Sequence, residues 1–90
     1  QVVITLGARG AYVNDGASSR IVEGFPVTAI DTTGAGDAFN GAAAAAIAGG
    51  ASLFEAAWAG NAAGALAVTR MGAGLAAPAK EEIEQLLKER

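Results

Sequence analysis

The stretch DTTGAGDAF, residues 31–39, places the strongest constraint on how this chain can fold. One glycine is enough for a turn and a helix needs none. The pair Gly34 and Gly36 therefore indicates that the backbone bends sharply here. It also indicates that another group comes close to this backbone. The apolar run Val27 to Ile30 before the stretch is typical of a short strand, and the alanine-rich run from Asp37 to about Ala48 is typical of a helix. The stretch therefore predicts a strand, a glycine turn and a helix in succession.

A helix that begins in such a turn directs several unpaired backbone N–H groups toward one point. The helix dipole adds roughly half a positive charge there, so the terminus favours anions, and phosphate above all. Asp37 follows in the first helical turn, where the dipole favours its charged form. It could accept a proton from a hydroxyl that attacks a bound phosphorus, as phosphoryl transfer to an alcohol requires. A second interpretation stays open from the spacing alone, in which Asp37 is only a helix-stabilising charge.

The spacing of the glycines excludes two better-known phosphate motifs. It matches neither the dinucleotide fingerprint G-x-G-x-x-G nor the P-loop G-x-x-x-x-G-K-[ST]. The prediction of an anion site therefore depends only on the glycine turn and the start of the helix.

The first 23 residues predict strands. Val2 to Leu6 is a continuous apolar run closed by Gly7, which is typical of a strand covered on both faces in a parallel sheet. Asp15-Gly16 separates two alternating runs, Ala11 to Asn14 and Ser19 to Glu23, and predicts a β-hairpin.

The second half of the chain predicts three helices. The helix from Asp37 is apolar nearly all round, so it is expected to be buried, and Gly49-Gly50 ends it. Ser52 and Glu55 match a capping box that opens a helix reaching about Arg70. Gly60 and Gly64 predict a close helix crossing. A last helix is predicted from about Ala79 to Glu89. Its inner stripe would be Ile83, Leu86 and Leu87, and its solvent face would be Glu81, Glu82, Glu84 and Lys88.

Composition excludes several classes of partner. The chain has 90 residues, 6 basic and 9 acidic, with no histidine and no cysteine. The basic residues are scattered, so neither nucleic acid nor an anionic membrane is an expected partner. The absence of cysteine excludes disulfides and thiolate metal sites. The longest weakly polar run, Ala42 to Ala51, is too short and too weakly hydrophobic to span a bilayer, and a cytoplasmic protein is expected.

Alanine supplies much of the apolar content, and alanine-rich helices bury little area each. We therefore expect one α/β unit, residues 1–90, cut from a larger domain. The alternative is a complete small domain with a trimmed N-terminus.

The motif DTTGAGDAF resembles the C-terminal signature of the ribokinase family, the PfkB-type sugar kinases. Thr5 to Gly10, TLGARG, resembles the family's T-L-G-x-x-G nucleotide segment. Residues 67–73, AVTRMGA, resemble the segment that follows the long helix, in a form that leans toward ribokinase. The resemblance covers essentially the whole chain.

The resemblance implies the C-terminal portion of a three-layer, doubly wound α/β fold. It also implies transfer of the ATP γ-phosphate to a sugar hydroxyl with Mg²⁺. By position, Asp37 resembles the catalytic base. The anion-hole amides would come from Ala35, Gly36 and Asp37, with Gly34 completing the turn. The implied nucleotide contacts are Thr5, Gly7 and Gly10, with Asn61 beside the adenine.

Many members of the family also bind a monovalent cation, usually K⁺, beside the anion hole. By position, the ligands would be the side chain of Asp31 and the carbonyls of Thr33, Ala67, Arg70 and Gly72. Ala76 stands where ribokinases often have serine, and a methyl group cannot bind a cation, so water would have to replace that ligand.

The family's lid and its sugar-binding glycine pair and acid have no counterpart in these 90 residues. The sugar is therefore open, the isolated chain is expected to be inactive, and self-association into a homo-oligomer is expected. The alternatives are a related kinase acting on fructose, a keto-deoxy sugar acid or a nucleoside, a non-catalytic nucleotide-binding fragment, and a self-associating fragment.

Overall fold

Three short strands at the start of the chain form one antiparallel sheet. The computed structural model describes residues 1–25, 27, 34–69 and 80–88. The strands are β1 (Val2–Thr5), β2 (Ala11–Asn14) and β3 (Ser19–Val22), in the spatial order β1-β2-β3. Val3 of β1 pairs with Val13 of β2, and Val13 pairs in turn with Arg20 of β3.

The hairpin between β2 and β3 is confirmed, and side chains of its own turn close it. Asn14 Oδ1 accepts the N–H of Gly16 at 2.8 Å, and Gly16 takes a φ of 96°. Asp15 Oδ1 accepts the N–H groups of Ser18 and Ala17, each at 2.8 Å. These bonds favour the charged carboxylate, so they lower the pKa of Asp15.

The prediction for β1 is wrong in its pairing and in its cover. β1 pairs antiparallel with β2, and all four of its residues are exposed. Only five residues connect the two strands, because Gly7–Arg9 forms a short 3-10 helix and Leu6 N–H bonds to the Gly10 carbonyl at 2.8 Å. A parallel crossover needs a dozen residues or more, so this connection permits only the antiparallel partner. Within the described residues, the outer edge of β1 has no neighbouring strand.

Within the described residues, three helices follow the sheet: α1 (Ala35–Ala48), α2 (Leu53–Val68) and α3 (Lys80–Lys88). The stop after α1 is confirmed, since Gly50 has a φ of 98° and Gly49 N–H bonds to the Ala45 carbonyl at 3.0 Å. The capping box is also confirmed. Glu55 N–H donates to Ser52 Oγ at 3.1 Å, and Ser52 N–H donates to Glu55 Oε1 at 2.8 Å. The bond from the Ser52 backbone N–H to the Glu55 carboxylate, and after it the Ser52 side chain, lower the pKa of Glu55.

The expected burial of α1 is wrong. Phe39 is its one buried residue, whereas eight residues of α2 are buried. α2 contacts the sheet, α1 and α3, so it lies at the centre of the packing. α1 packs mainly on α2, and the other side of its alanine-rich surface has no cover among the described residues.

The predicted close crossing of α1 and α2 is confirmed at both glycines. A Cβ placed on Gly60 would lie 2.8 Å from Cδ2 and Cε2 of Phe39, and one placed on Gly64 would lie 3.6 Å from the Ala35 carbonyl oxygen. Phe39 fills the space that the absent Gly60 side chain leaves, and it joins Ala11, Val13 and Ala57 in one core cluster. Burial of a phenylalanine side chain contributes roughly 1.5–3 kcal/mol.

A second core cluster connects α2 with α3 and with Phe25, three residues after the end of β3. Phe25, Ala62 and Ala65 form it, and the predicted stripe Ile83, Leu86 and Leu87 packs against it. The solvent face of α3 is exposed as predicted. The described part of the predicted strand Val27 to Ile30 is Val27, which lies outside any strand, and residues 28–30 are outside the described set.

None of the helices in the described part of the chain is long and apolar enough to cross a membrane.

Candidate functional site

The glycine turn at the start of α1 has the geometry of an open helix terminus. Gly34 is the N-cap residue with φ 83° and ψ −2°, a left-handed conformation that favours glycine. The first helical hydrogen bond runs from Ala38 N–H to the Gly34 carbonyl at 2.9 Å. The amides of residues 35–37 therefore precede the helical bonding pattern, and no side-chain cap bonds at this end.

Gly36 lies in the first turn with its surroundings open. It is exposed, and a Cβ placed on it would meet no atom within 4 Å. The left-handed conformation belongs to Gly34, and Gly36 has no positive φ. Neither packing nor backbone strain in the described chain therefore requires glycine at position 36.

Asp37 is exposed in the same first turn. Ala35, two residues earlier, is half-buried, and its carbonyl oxygen faces Gly64 of α2. One side of the turn thus rests on α2, while the amide of Gly36 and the carboxylate of Asp37 face solvent. This arrangement can present N–H donors and one carboxylate to the same anionic ligand.

The segment Thr5 to Gly10 divides into open and crowded positions. Thr5 ends β1 and is exposed, and Gly7 has a φ of 63° with no atom near its Cβ position. Gly10 has a φ of 104°, and a Cβ there would meet the Val22 carbonyl oxygen and lie 2.6 Å from the nitrogen of Gly24. The fold itself therefore requires glycine at position 10.

Asn61 is buried in α2, with 8% of its surface exposed. Its side-chain Nδ2 donates to the carbonyls of Val22 at 2.9 Å and Glu23 at 3.1 Å. The structure therefore places Asn61 against the end of β3, where it meets the same backbone segment that crowds Gly10. Whether it also lies beside an adenine stays a prediction.

The structure brings two of the predicted residues together, Gly10 and Asn61, which lie on either side of residues 22–24. Thr5 borders a cavity of about 240 Å³, and none of the predicted residues Gly34 to Asp37 lines it. The cavity is lined by Val3, Thr5, Phe39, Asn40, Ala43, Ile47, Leu53, Ala56 and Ala57.

The predicted cation ligands lie mostly outside the described residues. Asp31, Thr33, Arg70 and Gly72 are outside, as is Ala76, and the site stays a prediction. Ala67 is described, buried in the last turn of α2. Over residues 1–25, 27, 34–69 and 80–88, no three His, Cys, Asp or Glu side chains form a group that could hold a metal ion.

Sequence reasoning missed two packing partners of the site. One is Gly24, just after the hairpin, where a Cβ would lie 2.7 Å from the Ala8 carbonyl oxygen. Phe39 lies inside the signature, and its role as the residue that anchors α1 on Gly60 was not predicted. The available signal was the pair Gly60 and Gly64, which indicates a crossing helix but not which residue fills the gap.

Comparison with known proteins decides the family. Residues 1–80 match the family described as pfkB family carbohydrate kinase. The chain belongs to this family.

Ribokinases are prominent among the similar pfkB proteins. Ribokinase from Haemophilus influenzae is 46% identical over 97% of this chain and 28% of its own length. Ribokinase from Thermotoga maritima is 43% identical, with a TM-score of 0.91 over 96% of this chain and 29% of that one. Arabidopsis thaliana ribokinase, solved with ribose and ATP, is 34% identical with a TM-score of 0.90. The match covers 98% of this chain and 29% of that one. The chain spans less than a third of the length of these pfkB relatives.

Proposed function

We propose that this chain is the nucleotide-binding and catalytic segment of an ATP-dependent sugar kinase, with ribose as the first candidate substrate. Membership of the pfkB family and the similarity to ribokinases support the proposal. The observation that carries it is the open glycine turn, where uncapped amides and an exposed carboxylate lie in one helical turn.

The amides of Ala35, Gly36 and Asp37 act as the anion hole. Charge spreads over the oxygens of the transferred phosphoryl group as it leaves ATP, and N–H donors at a helix start stabilise that charge. The absence of a side chain at position 36 lets the phosphate reach the amides. The turn rests on α2 through Ala35, so the donors are positioned before the substrate arrives.

Asp37 acts as the general base. Its carboxylate is exposed beside the anion hole, where a sugar hydroxyl attacking the phosphorus can transfer its proton to it. The sugar oxygen forms the new bond to phosphorus, the bond to the ADP oxygen breaks, and the proton moves to Asp37.

ATP is held at Thr5, Gly7 and Gly10 in this proposal. Mg²⁺ typically uses one or two protein carboxylates together with phosphate oxygens, and in this proposal Asp37 stays available as the base. The ion neutralises charge on the phosphates when it is bound. A cytoplasmic location accompanies the use of ATP.

A monovalent cation site beside the turn forms a further part of the proposal, with Asp31, Thr33, Ala67, Arg70 and Gly72 as its ligands. Escherichia coli phosphofructokinase-2, 31% identical with a TM-score of 0.85, has been solved in complex with potassium. Replacement of K⁺ by a bulky organic cation at constant ionic strength is expected to lower the kinase rate. Equal rates in both salts would remove the cation from the proposal.

The direct test uses the full-length protein that carries this segment. It is incubated with ATP, Mg²⁺ and, separately, ribose, fructose, a keto-deoxy sugar acid and a nucleoside, and the phosphorylated products are identified by ³¹P NMR. Ribose phosphate is the expected product. A different phosphorylated sugar would keep the kinase and change its substrate, and nucleotide binding without any product would favour a non-catalytic module.

The 90-residue chain alone is expected to lack kinase activity and to self-associate. The edge of β1 is unpaired among the described residues, and Val2 and Ile4 are 46% and 51% exposed. An open apolar strand edge is a template for another chain. Light scattering at micromolar concentration is expected to show a dimer or larger species, and a dispersed folded monomer would contradict this prediction.

A further inference from the structure

Asn61 is the buried polar side chain of the described core. Nδ2 carries two hydrogens, and its two acceptors are the carbonyls of Val22 and Glu23, 39 and 38 residues away. Both donors are thus committed to the protein backbone. The side chain connects the centre of α2 to the end of β3.

The segment that Asn61 holds lies directly against the Gly7–Gly10 loop. A Cβ on Gly10 would lie 2.6 Å from Gly24 N and 2.8 Å from the Glu23 carbonyl carbon, and one on Gly24 would lie 2.7 Å from the Ala8 oxygen. The two backbones therefore cross with no space between them. A shift of residues 22–24 must displace the loop, because a close-packed crossing leaves no gap to absorb it.

Phe25 provides a second attachment of the same segment to α2. Its ring is buried against Ala62 and Ala65, and it stacks on Trp58 with the ring centroids 6.2 Å apart. Trp58 is the single tryptophan of the chain and is three residues before Asn61. Its contribution to the fluorescence, isolated by comparison with a Trp58→Phe variant, therefore reports whether the segment after β3 is docked on α2.

We propose that Asn61 is a positioning residue for nucleotide binding, which holds residues 22–24 against the Gly7–Gly10 loop and so fixes that loop for the triphosphate. The inference rests on the proposed function, because it takes this loop as part of the ATP site. It assigns Asn61 an indirect role, in which both of its N–H donors hold the carbonyls of Val22 and Glu23. Loss of these bonds weakens the binding of any nucleoside triphosphate equally.

The test compares Asn61→Ala with Asn14→Ala in the full-length protein. Asn14 also bonds a backbone group, the Gly16 N–H, but at the far end of the hairpin, so its variant controls for the loss of a side-chain bond. Dissociation constants for ATP and GTP are measured by calorimetry, with KM for ATP, KM for the sugar, kcat and Trp58 emission. All measurements are made well below the melting temperature of each variant.

For Asn61→Ala we expect roughly tenfold weaker binding of ATP and of GTP, by the same factor. KM for ATP should rise as the dissociation constant rises, whereas kcat and KM for the sugar stay within about twofold. Trp58 emission should shift to the red. Asn14→Ala is expected to leave all of these values unchanged. If Asn61→Ala does not fold, Asn61→Gln, which keeps the amide at a different reach, is measured in the same way.

Three outcomes would overturn the proposal. Weakened binding of ATP alone would show a direct contact with the base. A lower melting temperature with unchanged nucleotide affinity would show a role in stability alone. A wild-type protein that binds no nucleotide would remove the site itself. By contrast, a wild-type protein that binds nucleotide and phosphorylates no sugar would defeat the proposed function, while the affinity comparison would still decide the role of Asn61.

Discussion

The two glycine segments of this chain differ in what requires their glycines. In the Gly7–Gly10 loop, Gly10 combines a φ of 104° with backbone atoms of residues 22–24 at its Cβ position. In the turn that begins α1, Gly36 has no positive φ and no atom within 4 Å of its Cβ position. The fold explains the first glycine completely and the second not at all.

This difference separates evidence about folding from evidence about ligands. A glycine that the packing requires says that two backbones cross, and it would be there with or without a substrate. A glycine in open space at a helix start costs conformational entropy, and an alanine there would favour the helix by up to about 1 kcal/mol. Gly36 therefore indicates that something outside the described chain needs the space.

The largest effect is expected from Asp37→Asn, which keeps the side-chain size and removes the base. In the full-length kinase, kcat should fall about 10²–10⁴-fold while KM for ATP changes little. Steady-state kinetics with ATP and sugar varied in turn measure both quantities. A loss below about tenfold would reduce Asp37 to a helix-stabilising charge.

Gly36→Val should lower activity without harming the fold, which would sharpen the contrast between the segments. A Cβ at position 36 meets no atom of the described residues, but the valine side chain obstructs the approach of phosphate to the amides of the turn. We expect kcat/KM for ATP to fall about 10²-fold or more, with a melting temperature within a few degrees of wild type. Retained activity would mean that the anion does not bind at this turn.

Gly10→Ala should instead lower the stability of the fold. The new Cβ would press on the backbone of residues 22–24 at a φ that alanine rarely adopts. A loss of about 3 kcal/mol in the free energy of unfolding is expected, measured by urea denaturation. A Gly10→Ala protein as stable as wild type would break the comparison, because position 10 would then also be free of packing.

The smallest effects are expected at the helix crossing, where Gly60→Ala and Gly64→Ala form a matched pair. Both variants improve helix propensity, but only the Cβ at position 60 collides with the ring of Phe39. Gly64→Ala should stabilise the protein by about 0.5–1 kcal/mol and Gly60→Ala should destabilise it by about 1 kcal/mol. Urea midpoints test the opposite signs. Equal effects would mean that Phe39 moves aside freely.

Local patterns in the sequence predicted the parts of the fold that local chemistry determines. Asp15-Gly16 predicted the hairpin, and Ser52 with Glu55 predicted the start of α2, because each device is completed within three or four residues. The turn at Gly34 was predicted for the same reason. The same turn suggested Asp37 as a proton acceptor, and the family resemblance supplied the nucleotide-binding role of Thr5, which no local pattern gives.

Longer-range features could not be predicted in this way. The acceptors of Asn61 lie nearly 40 residues away, and no pattern around Asn61 indicates them. The apolar sequences of β1 and α1 suggested burial, but a segment is buried only if other residues pack on it. The described residues do not supply those packing partners.

The contact between Phe39 and Gly60 also limits how the family can vary. The two positions share one volume, so substitutions at them should be correlated among pfkB proteins that keep this crossing. A relative with alanine or serine at the position of Gly60 should carry a smaller side chain at the position of Phe39. Descent would then have preserved the sum of two side-chain volumes across the crossing, while the two residues changed together.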